Sequence, residues 1–165
     1  EVLAGGGPSD VVDLTLALAR EMLQAAGSDA DPAEALASGA AMDVWRRMIA
    51  AQGGDPDAPL PQARHTEVVA APASGWISRM DAMAVGVAAW RLGAGRARKE
   101  APVQAAAGVT WGASVGERVV EGQPLFTLHT DTPERVERAL EALSDAVSVS
   151  PDPYERGPIV LERID

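Results

Sequence analysis

An α+β fold is predicted by three features of the sequence. Apolar residues recur at helical spacing up to about Gly53, β-like runs broken by glycine and proline follow His65, and strands and helices do not alternate strictly. The 165 residues are 47% hydrophobic, which suffices for a core. That length sets one domain, or one small domain with part of another. Aromatics are scarce, so Ala, Val and Leu must fill most of the interior.

The first helix is expected to start near Asp10, after the Gly5-Gly6-Gly7-Pro8 turn, with Ser9 or Asp10 as its cap and Gly27 at its end. Val11, Leu14, Leu18 and Met22 form one stripe, flanked by Val12, Leu16 and Leu23. So broad a face predicts burial on more than one side. A short helix follows, with Asp31 as cap, Pro32 in the first turn and Gly39 as stop. A third spans about Ala40 to Gln52, with Met42, Trp45, Met48 and Ile49 inward. These helices cannot cover that much apolar surface alone; they call for a sheet or a missing neighbour.

Three prolines between Asp55 and Pro61 rule out an ordinary helix and mark a linker. Beyond it, Thr66–Ala71 and Trp76–Met80 read as strands. Asp81 caps a helix to about Leu92 that buries Met83, Val87 and Trp90, and Gly93-Ala94-Gly95 ends it in a flexible loop. Val103–Trp111 is the next strand, and a glycine-punctuated turn from Gly116 leads into a strand at Leu125–His129. Thr132-Pro133 opens the last helix, which ends near Leu143; Val147–Ser150 and Ile159–Ile164 close the chain as strands.

Composition excludes several function classes. A net charge of −10 opposes a broad nucleic-acid surface. With no cysteine and two isolated histidines, neither disulfides nor a metal site is expected, and no cofactor loop is complete. No apolar run approaches the roughly 20 residues of a membrane span. The start carries no basic n-region or cleavage site. A cytoplasmic protein is expected, and the missing initiator Met fits a chain cut from something longer.

Four features could carry chemistry. Gly5-Gly6-Gly7-Pro8 could cradle phosphate at a helix start, but Asp10 and Asp13 would repel an anion, and a plain helix entry is the simpler reading. Arg91, Arg96, Arg98 and Lys99 gather around Gly93-Ala94-Gly95, against the sign of the whole chain, and either pair with a carboxylate or phosphate on another domain or form a solvated loop with no partner. Gly116–Leu125 resembles the hammerhead of biotinyl and lipoyl carrier domains, yet the one lysine, Lys99, lacks their hairpin context. His65 and His129 have no relay partners nearby. Glu134, Glu137 and Glu141 alternate with Arg135 and Arg138 as a solvated helix face.

An ordered series of motifs resembles the pyrimidine-nucleoside phosphorylases. It runs through Gly5-Gly6-Gly7-Pro8-Ser9-Asp10, Arg47-Met48-Ile49-Ala50-Ala51-Gln52-Gly53-Gly54, Leu60-Pro61-Gln62-Ala63 and Gly75-Trp76-Ile77-Ser78. It continues through Trp90–Glu100, Ala107-Gly108-Val109, Val115–Val119 and Gly122-Gln123-Pro124-Leu125. The resemblance implies the C-terminal portion of such an enzyme: residues 1–53 as the helical end of an α/β phosphate-binding domain, 54–65 as linker, and 66–165 as a hammerhead-type α+β domain. It also implies phosphorolysis of a pyrimidine nucleoside, thymidine with phosphate giving thymine and 2-deoxyribose 1-phosphate, in a homodimer.

The family's pyrimidine- and phosphate-binding positions precede Glu1, so no catalytic or substrate-binding residue is expected in this chain, which depends on a missing N-terminal half. The expected contribution is domain closure, through a loop of Gly93, Gly95, Arg96, Arg98 and Lys99. A stand-alone, non-catalytic binding or assembly module with the same fold is the alternative.

Overall fold

The computed structural model describes residues 1–96 and 98–164; Ala97, inside the expected closure loop, and Asp165 lie outside the described residues. The chain forms two compact units, one of residues 1–59 with 157–165 and one of residues 60–156.

The first unit is helical. A 3-10 turn at Val2–Ala4 precedes α1 (Ser9–Ala25), α2 (Pro32–Ala37) and α3 (Ala40–Ala51). Pro8 sits at the cap position of α1, so neither Ser9 nor Asp10 caps it as expected; the helix starts one residue earlier, on proline's fixed φ. Gly27, at φ 67°, ends the segment, and the Ser28 N–H donates to the Leu23 carbonyl at 2.9 Å. Asp31 caps α2, accepting from the Ala33 N–H at 2.9 Å. No described residue of this unit is buried. The apolar stripe of α1 faces outward, Leu18 being 56% and Met22 70% exposed, and Met48 of α3 is exposed as well. Within residues 157–165, Arg163 pairs with Glu21 at 3.2 Å. The strand expected at 159–164 is absent, because the segment has no paired neighbour to supply ladder hydrogen bonds.

The second unit holds the core. Its strands are β1 (His65–Ala70), β2 (Gly75–Met80), β3 (Gly108–Trp111), β4 (Arg118–Val119), β5 (Pro124–Thr130) and β6 (Val147–Ser150). They form two antiparallel sheets, ordered β1-β5-β3 and β4-β2-β6. Helices α4 (Ala82–Ala89) and α5 (Val136–Leu143) pack on each other. Helices and antiparallel strands are thus mixed without βαβ units, as an α+β fold requires.

Both sheets and both helices feed one cluster: Ile77 from β2, Ala88 from α4, Leu92 after it, Leu125, Phe126 and Leu128 from β5, and Ala139 and Leu143 from α5. β5 is central in its sheet, and Phe126, Leu128 and Thr130 are buried on one face with Leu125 buried near its start. Gly75 is where the sheets demand glycine: at φ 156°, a side-chain carbon there would strike the Ser150 carbonyl oxygen on β6.

Two expectations are corrected here. Met83 is 75% exposed and Trp90 is also exposed, while Ala84, Val85, Ala88 and Leu92 face the core. The strand expected from Val103 is formed only over Gly108–Trp111, because Gln104 is drawn into a turn: its N–H donates to Gly93 and its carbonyl accepts from Ala107.

Candidate functional site

The cationic segment begins where α4 changes pitch. Asp81 caps α4 by accepting from the Ala84 N–H at 3.0 Å. That bond, opposed by burial and helped by the Arg79 guanidinium, holds the Asp81 carboxyl below its ordinary pKa. After Ala89 the helix widens into a π turn over Trp90–Ala94. Single π turns of this kind recur at functional positions. Leu92 turns fully inward, and Gly93 leaves helical geometry at φ 119°.

A polar knot fixes this turn from beneath. The buried Thr130 hydroxyl donates to the Leu92 carbonyl at 2.8 Å. The Gly93 carbonyl accepts from the Gln104 N–H at 2.9 Å. The Gln104 side chain accepts from the Asp131 N–H at 2.7 Å and donates to the Thr132 hydroxyl at 2.8 Å. Asp131 in turn accepts from the Arg64 N–H at 2.9 Å, which lowers its pKa. A side-chain carbon at Gly93 would lie 2.9 Å from Gln104 Cδ and 3.0 Å from Arg135 Nη1. Glycine at 93 therefore serves a fixed, crowded bend, and freedom of the loop has to come from beyond it. Gly95 lies close to Trp90, so that an added carbon would sit 2.5 Å from the indole Cδ1.

The basic side chains divide into two groups. Arg91 turns back onto α5, where its Nη1 donates to the Arg138 carbonyl and lies 3.4 Å from Glu141. Arg96 donates to the Lys99 carbonyl at 2.9 Å, closing its own loop, while Arg98 and Lys99 are exposed. Beside the loop lies a groove of about 330 Å³ lined by Trp90, Arg91, Arg96, Pro102, Arg135 and Arg138, among others. Arg135 and Arg138, whose alternation with glutamates predicts a solvated face, thus share a concavity with Arg91 and Arg96. Their three-residue spacing, which places both on one helix face, was the available signal.

The other candidates stay apart. His129 lies 3.0 Å from the Thr110 hydroxyl across the β3–β5 ladder, and His65 lies 4.0 Å from Glu67. Among the described residues no group of three or more His, Cys, Asp or Glu could hold a metal ion. None of their helices is long and apolar enough to cross a membrane.

Residues 76–150 match the model of the pyrimidine nucleoside phosphorylase C-terminal domain. The chain is 54% identical over 165 residues to the thymidine phosphorylase of Mycobacterium tuberculosis, covering 99% of itself and 39% of that protein. It is 32% identical over 176 residues to the pyrimidine-nucleoside phosphorylase of Geobacillus stearothermophilus, covering 99% of itself and 40% of that enzyme. A pyrimidine-nucleoside phosphorylase of Staphylococcus aureus is 32% identical over 162 residues, with 91% and 37% covered. The chain therefore spans about two fifths of the length of these relatives.

Proposed function

Because this chain corresponds to the C-terminal portion of the pyrimidine-nucleoside phosphorylase family, we propose that it forms the closing side of a phosphorolytic enzyme. The carrying observation is the ordered match of nearly the whole chain, at 54% identity, to a thymidine phosphorylase. The proposed reaction joins thymidine and phosphate. A phosphate oxygen bonds to C1′ of the pentose as the C1′–N1 bond breaks. The bonding pair leaves on the pyrimidine, which takes up a proton, giving thymine and 2-deoxyribose 1-phosphate.

The chain's own part in this reading is positional. Phosphorolysis competes with hydrolysis, so nucleoside and phosphate must meet with water excluded, and closure of one domain on another achieves this. The loop of Gly93, Gly95, Arg96, Arg98 and Lys99 supports that role in two ways. Its base is fixed through Leu92 and Gly93, while Arg98 and Lys99 are presented to solvent as donors. In this reading the three cations latch the closed form onto acidic or phosphate groups of the rest of the polypeptide, and the chain alone has no turnover.

Replacing Arg96, Arg98 and Lys99 together by Gln in the complete polypeptide tests the latch. A charge-assisted hydrogen bond is worth about 1.5–3 kcal/mol, so losing a single one should lower kcat by about tenfold or more. The far-UV circular dichroism should not change, because these side chains do not enter the core. Unchanged kinetics would remove the latch.

A further inference from the structure

We infer that the groove between Trp90 and the start of α5 is a binding site for a phosphomonoester whose organic part is a flat ring. Four arginines, Arg91, Arg96, Arg135 and Arg138, line it with one acid, Glu134, and Glu141 pairs with Arg91 alone among the described residues, in a chain of net charge −10. Clustering like charges is costly unless an anion joins them. Among the described residues, Arg135 and Arg138 make no side-chain hydrogen bond or ion pair, so their donors are unspent. Arg91 is held in place by the Arg138 carbonyl and Glu141, and its buried Nε has no partner among the described residues.

Shape and chemistry narrow the ligand. All four cations are arginines, whose planar forks suit the paired oxygens of a phosphate better than a lysine does. A phosphomonoester carries about −1.5 to −2 charges at neutral pH, against −1 for a carboxylate. The volume of about 330 Å³ exceeds what a bare phosphate fills and falls at the lower end of small-molecule sites, roughly 300–1,000 Å³. The remaining lining residues are Trp90, Gly95, Ala101 and Pro102, apolar groups against which a ring can lie. Trp90 packs close to Gly95, where an added side-chain carbon would meet its indole.

The site shares Arg96 with the latch but does not rest on the proposed phosphorolysis, and its test changes only Arg135 and Arg138, which take no part in the latch; the two readings fail separately. The test is titration of the 165-residue chain with phenyl phosphate, followed by tryptophan fluorescence and calorimetry, with inorganic phosphate, benzoate and phenol in parallel. Saturable binding of phenyl phosphate is expected, about tenfold tighter than inorganic phosphate or benzoate, with none for phenol. The Arg135→Gln/Arg138→Gln variant should weaken it by about tenfold or more at an unchanged urea midpoint. If that variant does not fold, Arg138→Gln alone serves, because the residue is exposed. Absence of saturable binding, equal binding of benzoate or inorganic phosphate, or full affinity in the folded variant would each overturn the inference.

Discussion

Thr130, Gln104 and Gly93 do at residue scale what the apolar core cannot. They satisfy the backbone of a helix end that has lost its regular hydrogen bonds. Thr130 is completely buried and donates to the Leu92 carbonyl. Replacing it by Val keeps the shape and removes the donor. The Leu92 carbonyl is then left unpaired, at a cost of about 1–3 kcal/mol. A lower urea midpoint at unchanged slope is the expected result. At Gly93 an added methyl meets both the positive φ and the crowding from Gln104 and Arg135. Gly93→Ala should therefore destabilise by about 1–3 kcal/mol. Stability equal to the parent in both variants would mean that the knot does not support the turn.

The carboxylates follow the same logic with pH. The pKa of Asp81 is lowered chiefly by the Ala84 N–H, and that of Asp131 chiefly by the Arg64 N–H. A lowered folded pKa gives stability that is complete above the ordinary Asp value and is lost as pH falls through the folded value. Acid titration of the unfolding midpoint should thus show a fall confined to the region below the ordinary Asp pKa. In Asp81→Asn, which can still cap α4 but cannot ionise, that fall should be shallower; an identical acid limb would contradict the assignment.

Among the elements, how much the sequence reveals depends on contrast. β1, β2 and β6 were legible because glycine, proline and β-branched residues bound them, and α2 because Asp31 and Pro32 mark its start. The face of α4 was not legible: Ala82 to Ala89 contains no polar residue, so no periodicity separates inward from outward positions. Hydrophobicity alone favours Met83 and Trp90 inside, whereas the smaller Ala88 is buried in the core and Ala84 packs against it. The strand expected from Val103 was shortened by a contact far away in sequence, Gln104 with Gly93, which no local pattern reports. In the candidate site, the charge reversal around Gly93 to Lys99 was visible from composition. The addition of Arg135 and Arg138 was not, because alternating Glu and Arg reads equally well as a solvated face and only the α4–α5 packing brings them to the loop.

At the scale of the molecule, the two units differ in how they are held. Every buried described residue belongs to 60–156, and the helical unit of 1–59 with 157–165 has none. Local opening is least costly where few apolar contacts are lost. Limited proteolysis should therefore cut within residues 1–59 first and leave a resistant product close to 60–156. Equal rates of loss from both units would contradict this.

The most direct test of the proposed phosphorolysis is phosphate-dependent release of thymine from thymidine. The 165-residue chain would be assayed beside a longer polypeptide that contains it together with the N-terminal segment the relatives possess. The proposal predicts thymine and 2-deoxyribose 1-phosphate from the longer polypeptide, only with phosphate, and none from the chain alone. Release by neither would contradict the phosphorylase reading, and release by the chain alone would contradict its assignment as the closing side.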